Sequence, residues 1–227
     1  MPTPPVALTK SAYAYEELRR RILTAEIQHG SVLSQAQMAH DLGVSTTPLR
    51  EALRRLEAEG LVQLESHRDA RVAALTAEEA GNLYVIRENL DPLAAGLAAE
   101  SRNQADISAI KESLRRLVPL SDANDLAAMT AHREFHRSIY TASHNPLLTG
   151  ILEGLWDKAD RYRQIGLQSQ KDSRTDRARV QAEHKDIAAA VIAGDAEAAR
   201  AAMHRHVVGS LGRRAIEVLS STKPDAS

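Results

Sequence analysis

Apolar positions in the first third of the chain follow the spacing of amphipathic helices, with short turn signals between them. Positions three and four residues apart share one helix face, and this pattern predicts helices over residues 12–26, 34–42 and about 46–59. Gly43 separates the last two, and Gly60 ends the third. Two apolar runs, 61–65 and 70–75, flank the polar residues 66–69 and predict a hairpin. Three helices followed by a hairpin are typical of a winged helix-turn-helix.

From residue 76 onward the pattern predicts only helices. Six segments have helical periodicity, over residues 76–102, 104–118, 125–143, 146–168, 172–193 and 196–219. Thr76 and Glu79 have the spacing of a capping box, which marks a helix start. We therefore predict a mainly α fold with two domains: a winged helix-turn-helix over residues 1–75 and an all-helical bundle over residues 76–227.

Composition agrees with helices and excludes several kinds of site. Aromatic residues are only 3% of the 227 residues, so the core must be aliphatic. The absence of cysteine excludes disulfides and thiolate metal ligands. No apolar run approaches the ~20 residues of a membrane span, and the polar, proline-rich start has no signal-peptide core. We expect a cytoplasmic protein without a membrane partner.

Charge argues against a simple nucleic-acid interpretation. The formal net charge is −1, and residues 1–75 contain nine basic and nine acidic side chains. A bulk basic field is therefore absent. DNA binding would depend on the local placement of arginines and on a dimer that contributes two such surfaces.

The third predicted helix divides into an apolar and a polar face. Its apolar stripe is formed by Leu49, Ala52, Leu53 and Leu56. The opposite side offers Thr46, Thr47, Arg50 and Arg54, and either Ser45 or Thr47 can cap the start. Hydroxyl groups suit phosphates, and arginines suit phosphates or guanine edges. An ordinary amphipathic helix with a solvated face has the same division, so this helix alone leaves both interpretations open.

The surrounding stretch decides between them. Residues 37–62, QMAHDLGVSTTPLREALRRLEAEGLV, closely resemble the helix-turn-helix signature of the GntR regulator family, and the resemblance covers about residues 12–75. It implies a domain that binds operator DNA as a homodimer, with a wing that reaches the minor groove. The residues expected to contact DNA are Ser45, Thr46, Thr47, Arg50, Arg54 and Arg68.

Two positions depart from the family pattern. Thr46 stands where the family usually has an arginine that contacts DNA, and Asp69 stands where the wing tip usually has glycine. An acidic side chain at a DNA-facing tip repels phosphate. Both changes affect operator sequence and affinity, and Arg50, Arg68 and Arg71 are the candidates that could compensate.

Histidines in the helical region form a second pattern. His132 and His136 are four residues apart on a face shared with Met129 and Ile139, so both are expected to point into the bundle. His184 and His206 lie in the apolar stripes of two later helices. Four imidazoles would form a site for zinc, nickel, copper or iron. Histidines that are simply part of a core, or lie on the surface, are the alternative.

Residues 76–219 resemble the all-helical C-terminal domain of the FadR-like subgroup of the GntR family. The resemblance rests on residues 87–95, 135–139, 145–146, 183–187 and 194–206. It implies a divalent metal held by an aspartate and three histidines. His136, His184 and His206 match the histidines, and His132 stands at the aspartate position. An imidazole there removes a negative charge and favours zinc or nickel over manganese.

The same resemblance implies a small organic acid as effector. Such a carboxylate ligates the metal and needs a cation beside it. Arg87 matches a family arginine that faces the cavity, and Arg161 or Arg163 could join it. A surface salt bridge is the alternative for each arginine.

We predict a transcriptional regulator, not an enzyme: its operator affinity is controlled by a carboxylate bound near a histidine-ligated metal. The main competitor is a helical metallohydrolase fused to a DNA-binding module. Against it, no carboxylate is an obvious general base, because Glu183 adjoins His184 but points about 100° away on its helix. A scaffold whose wing binds protein is a third possibility.

Overall fold

The structure, a computed structural model, describes residues 9–65, 69–119, 125–169 and 173–221. Its architecture is mainly α, as predicted. The chain forms two compact units, residues 1–75 and 76–227. In the described part of the chain, no helix has the length and hydropathy needed to cross a membrane.

The first unit combines three helices with a small sheet. Its elements are α1 (Lys10–Leu23), β1 (Val32–Ser34), α2 (Gln35–Asp41), α3 (Thr46–Ala58), β2 (Val62–Leu64) and β3 (Asp69–Val72). The strands are antiparallel in the order β1-β3-β2, and Arg71 of β3 lies between Val32 and Gln63. The hairpin is therefore confirmed. Strand β1 was not predicted, because three residues are too few for alternation to be recognised.

The core of this unit lies between α1 and α3. Leu18 and Ile22 of α1 pack with Leu49 and Leu53 of α3, and the sheet closes one side of the same cluster. Gly43 and Gly60 have φ of 63° and 71°, which L-residues with side chains rarely adopt, so glycine suits both turns. The apolar stripe of α3 therefore packs in the core of the first unit.

The second unit is entirely helical in its described part. Its helices are α4 (Ala77–Ser101), α5 (Gln104–Arg116), α6 (Leu126–Ala142), α7 (Pro146–Gly154), α8 (Trp156–Ser169), α9 (Arg174–Ala193), α10 (Ala196–Val208) and α11 (Leu211–Ser221). Side chains of preceding residues cap several starts: Thr76 accepts a hydrogen bond from the Glu79 amide, and Ser173 with Asp176 forms a capping box.

Two long predicted helices are each divided in the structure. The prediction of one helix over 146–168 is wrong, because Leu155 ends α7 with a bond from its amide to the Leu152 carbonyl, and α8 begins at Trp156. Leu152 of α7 and Trp156 of α8 belong to one core cluster across this break. The prediction of one helix over 196–219 is also wrong, since α10 ends at Val208 and α11 begins at Leu211.

Helix α4 is the central element of the second unit. Its buried face is rich in alanine, including Ala94, Ala95 and Ala98, and Ala199 and Ala202 of α10 are buried as well. Small side chains allow α4 and α10 to approach closely. Gly212 allows the same for α11, because a Cβ there would overlap the Tyr84 hydroxyl of α4.

Candidate functional site

The polar face of α3 is exposed as predicted. Ser45, Thr46, Thr47, Arg50 and Arg54 are all exposed, while the apolar stripe of the same helix is buried. Ser45 is the N-cap residue in extended backbone, and its side chain makes no capping hydrogen bond. The first turn of α3 therefore offers hydroxyls, and its arginines follow on the same side.

Contacts inside the unit orient two of the arginines. Arg50 donates from Nε to Oε1 of Gln35 at 3.0 Å, which links the exposed face of α3 to the start of α2. Arg71 donates to Oε1 of Glu65 at 2.8 Å and to the Gly30 carbonyl at 3.0 Å. Arg71 therefore links β3 to the residue that follows β2 and to the segment that precedes β1.

The hairpin tip differs from the sequence expectation. Asp69 is the first residue of β3, with its Cα opposite that of Ser34. The expectation that Asp69 stands at the tip is therefore wrong: it takes part in strand pairing. The tip, with the predicted contact residue Arg68, lies outside the described residues.

In the helical unit, four histidines from three helices converge. His132 and His136 come from α6, His184 from α9 and His206 from α10, and all four are buried. One ring nitrogen of each lies within 4.8 Å of the others. Two bonds of about 2.0–2.1 Å to one ion span at most ~4.2 Å, so small side-chain rotations would bring these nitrogens to bonding distance.

Hydrogen bonds orient two of the rings. His184 Nδ1 donates to the Val180 carbonyl at 2.7 Å, and His206 Nδ1 lies 3.0 Å from Oε2 of Glu183. Both rings thus keep Nε2 for another partner. Four ring nitrogens of the cluster are buried without a hydrogen-bond partner: His132 Nδ1, both nitrogens of His136, and His184 Nε2. Since buried polar atoms are normally paired, this donor set fits a metal ion.

The electrostatics of the cluster favour neutral rings. Burial lowers the pKa of His132, His136 and His184 well below 6.5, and positive charge on Arg163 lowers all three further. Burial also lowers the pKa of His206, although Glu183 opposes that effect. A neutral imidazole is the form that binds metal, so protons do not compete for the site near pH 7.

A cavity of about 40 Å³ opens beside the cluster. Its polar lining includes three of the histidines, His132, His184 and His206, together with Arg163, Arg177, Gln181, Glu183 and Ser210. A single water molecule needs roughly 10–15 Å³ by the same measure. The cavity therefore has room for a few water-sized groups, with cationic and imidazole side chains on its wall.

The three predicted effector arginines have different surroundings. Arg163 lines the cavity and pairs with Asp160. Arg87 is buried against Asp91, with Nη2 2.6 Å from Oδ2, and its charge acts on His136 and His206.

Arg161 is placed elsewhere. It is buried, and the carboxylates that act on it belong to Glu79 and Asp157. The structure therefore brings Arg87 and Arg163 to the histidines and does not bring Arg161 there.

Two residues at the site were missed from the sequence. Arg177 lines the cavity and lies two helical turns before His184, so the periodicity of α9 contained that signal. Glu183 was placed away from the histidines because it points away from His184 on its own helix. That inference is wrong: Glu183 reaches His206 on the neighbouring helix, and periodicity within one helix does not report such a contact.

Comparison with known proteins identifies both units. The family model described as "Bacterial regulatory proteins, gntR family" matches residues 10–72. The model described as "FCD domain" matches residues 82–209, more than half of the chain. FCD domains are known to bind metals, and the four histidines form a group that could hold one.

Individual relatives agree with the family models. The transcriptional regulator LutR of Bacillus subtilis is 30% identical over 206 residues, which cover 82% of this chain and 92% of that protein. The uncharacterised regulator YdhC of the same organism is 27% identical over 145 residues, 63% of this chain. That alignment spans 65% of YdhC, slightly less than two thirds of its length. The Escherichia coli McbR structure shares the fold, with a TM-score of 0.69 at 22% identity over 95% of this chain and 99% of that one.

The families and relatives are transcriptional regulators, not enzymes, so they do not support the metallohydrolase alternative. Regulators with this N-terminal domain bind operator DNA. The chain belongs to the GntR family of bacterial transcriptional regulators and carries an FCD domain after its helix-turn-helix.

Proposed function

We propose that this regulator binds its operator with an affinity controlled by a small carboxylate effector, bound beside a histidine-ligated divalent metal. One observation supports this most directly. Four buried histidines converge, three of them with unpaired ring nitrogens. Three of the four line a cavity whose wall also includes Arg163 and Arg177. Cations and a metal together suit an organic acid.

The proposed DNA contacts lie on α3 and on the hairpin. Ser45, Thr46 and Thr47 offer hydroxyls to phosphates, and Arg50 and Arg54 can reach phosphates or base edges. Arg68 would contribute from the hairpin. Two copies would place their α3 helices in successive major grooves, about 34–36 Å apart.

An exposed apolar surface supports the homodimer. Leu147 and Ile151 are one turn apart on α7 and are 80% and 53% exposed, and Val85 on α4 is 59% exposed. Ile86 and Leu93 of α4 are exposed as well. Helices α4 and α7 share a core cluster, so their outer sides form neighbouring surfaces. An apolar surface of this kind suits a self-complementary contact with a second copy.

The proposed metal ligands are His132, His136, His184 and His206. An all-imidazole set suits zinc or nickel, whereas manganese prefers oxygen ligands. The bound ion would supply a positive centre that attracts a carboxylate. A four-coordinate ion held by all four rings keeps no open position, while a six-coordinate ion keeps two. If the effector binds the metal directly, nickel is the better candidate, because a six-coordinate ion keeps open positions. If the metal is zinc, the arginines would hold the effector instead.

Helix α8 connects the cavity to the start of α4 and could transmit the effect of a bound effector. It carries Arg163 at the cavity, and it also carries Lys158 and Tyr162, whose polar ends both lie 2.8 Å from the Glu79 carboxylate. Glu79 lies in the first turn of α4, four residues after the end of the first unit at residue 75. An effector that prefers one position of α8 would shift the population of DNA-binding states.

A DNA-binding experiment tests the proposal. Full-length protein loaded with nickel is titrated onto a fluorescent fragment that carries its own promoter, with and without small carboxylates selected by thermal shift. We expect specific binding whose affinity changes at least fivefold with one carboxylate, within the usual range of allosteric coupling. Arg50→Ala should weaken DNA binding with or without effector, and His136→Ala should remove only the effector response.

Two results would contradict the proposal in different ways. No binding of the fragment at any effector concentration rejects an operator at that promoter. Specific binding that no carboxylate changes, with nickel or with zinc, rejects control by an organic acid.

A further inference from the structure

The Glu183 side chain connects the cavity, a neighbouring arginine and one histidine. Its Oε2 lies 3.0 Å from Nδ1 of His206 on α10. Its Oε1 accepts a hydrogen bond from Nη1 of Arg179, one turn earlier on α9. The carboxylate also lines the cavity beside the four histidines. Glu183 therefore contacts one histidine of the cluster but is not one of the four candidate metal ligands.

The contact determines which nitrogen of His206 carries hydrogen. A carboxylate only accepts hydrogen bonds, so His206 must donate from Nδ1, and Nε2 is left with its lone pair. His184 has the same arrangement, with its Nδ1 bonded to the Val180 carbonyl at 2.7 Å. The hydrogen-bond partner of His184 is a backbone carbonyl, which a side-chain substitution does not remove. The partner of His206 is the Glu183 side chain, so a substitution at Glu183 can change the hydrogen bond that orients His206.

We propose that Glu183 is a positioning residue that holds His206 with Nε2 facing the metal site. The inference rests on the metal site proposed above. The hydrogen bond fixes the tautomer and the rotation of the ring, and the negative charge makes Nε2 a stronger ligand. Carboxylate partners of this kind typically change metal affinity 10–100-fold when removed.

A purely structural role makes a different prediction. In that case Glu183 would act through its ion pair with Arg179, which joins two turns of α9. Arg179→Gln breaks this pair and leaves the contact with His206 in place. Asp186→Asn removes the same charge from an exposed position on the same helix. These two variants are matched controls for Glu183→Ala and Glu183→Gln.

Metal binding by the full-length protein is measured with two probes. Trp156 is the one tryptophan in the chain, and its ring centroid lies 5.3 Å from that of His136 and 5.7 Å from that of His132. Its fluorescence follows a nickel titration, with a chromophoric chelator as competitor. Visible absorption of the cobalt-loaded protein reports the ligands and their geometry.

We expect Glu183→Ala to weaken nickel binding about 10–100-fold and to change the cobalt spectrum. Glu183→Gln should recover much of the affinity, because its amide oxygen still accepts from Nδ1. The two controls should stay within about threefold of the unaltered chain, since exposed ion pairs contribute little, and should keep its spectrum.

Three outcomes would overturn the proposal. If Glu183→Ala matches Asp186→Asn in affinity and spectrum, Glu183 has no positioning role, although the metal site stands. If the unaltered chain binds neither nickel nor cobalt, the metal site fails, and this inference fails with it. If Glu183→Ala does not fold, ¹⁵N NMR of His206 in the unaltered chain decides, and hydrogen on Nε2 instead of Nδ1 overturns the proposal.

Discussion

The side chain at position 132 sets the charge of the proposed metal site. His132 is buried, and its ring centroid lies 4.7 Å from that of His136 and 5.1 Å from that of His184. With four neutral imidazoles, the full charge of a divalent ion is left uncompensated by its ligands. An aspartate at this position would add one negative charge and a hard oxygen ligand.

We expect His132→Asp to change the metal preference. The carboxylate should raise the affinity for manganese relative to nickel at least about tenfold, because one charge near the ion is worth several kcal/mol. Calorimetric titration with each metal measures the ratio. His204→Asp makes the same change at an exposed position of α10 and should leave the ratio unaltered. Equal ratios in both variants would exclude His132 as a ligand.

The buried histidines also predict how stability depends on pH in metal-free protein. The pKa values of His132, His136 and His184 lie below 6.5 in the folded chain, so below pH 6.5 the unfolded chain binds more protons. Stability is therefore greatest above pH 6.5 and falls as the pH drops. Each ring should contribute up to about 1.4 kcal/mol per pH unit. Urea unfolding at pH 7.5, 6.5 and 5.5 measures this, and a constant unfolding free energy would contradict neutral burial.

At the scale of elements, close helix approaches organise the second unit. Helix α11 packs on α4 at Gly212, where a Cβ would overlap the Tyr84 hydroxyl. Trp156, the first residue of α8 after the break at Leu155, belongs to the core cluster that α4 and α7 share. Arg87 and Arg163 then lie 5.0 Å and 5.3 Å from the Trp156 ring. Trp156, at the start of α8, thus contacts one arginine from α4 and one from its own helix.

Gly212→Ala tests the approach of α11 to α4. The added methyl group must displace the buried Tyr84, and overpacking of this kind costs about 1–3 kcal/mol. The matched control is Gly150→Ala in α7, where a Cβ meets nothing within 4 Å. It should stabilise the protein by roughly 0.5–1 kcal/mol, because alanine is the better helix former. Urea midpoints compare the two, and equal effects would contradict the packing described for Gly212.

Tyr162→Phe tests the connection between α8 and α4. The change removes the hydroxyl that donates to Oε2 of Glu79 at 2.8 Å and leaves the ring in place. We expect the effector-induced change in DNA affinity to decrease several-fold, with nickel affinity unaltered. Fluorescence anisotropy with and without effector measures the coupling. An effector response equal to that of the unaltered chain would show that α8 does not transmit through Tyr162.

At the scale of the whole molecule, each unit has an outward surface that suits a partner. The first offers the polar face of α3, and the second offers the apolar sides of α4 and α7. The local net charge of the first 75 residues is zero, so a single copy has little general attraction for DNA. Two copies double the number of phosphate contacts, and dimerisation is therefore expected to determine operator affinity.

Ile151→Glu tests the dimer. A charge within the apolar surface should shift the protein toward monomers and weaken operator binding by at least tenfold, because buried unpaired charges are costly. Val32→Glu changes a residue of the first unit that is 49% exposed and should leave the oligomeric state unaltered. Light scattering after size exclusion measures the oligomeric state of both variants, and fluorescence anisotropy measures their operator binding. A monomeric unaltered chain, or a dimeric Ile151→Glu, would exclude this surface as the interface.

Local sequence signals predicted much of this protein. Apolar periodicity placed the helices, the hairpin and the burial of all four histidines, because the burial of one face is a property of a single element. It also predicted the exposed face of α3, from Thr46 to Arg54. Specific motif residues such as Gly43 and Pro48 led to the family, which the two family models confirmed.

Contacts between elements were decided only by the tertiary structure. Periodicity does not report how neighbouring helices are rotated or shifted, so Glu183 was taken to point away from the histidines although it reaches His206. For the same reason Arg161 was grouped with Arg87 and Arg163. Breaks such as that at Leu155 went unrecognised because the apolar pattern continues through them. Strand β1 depends on hydrogen bonds to residues far along the chain, which three residues cannot predict alone.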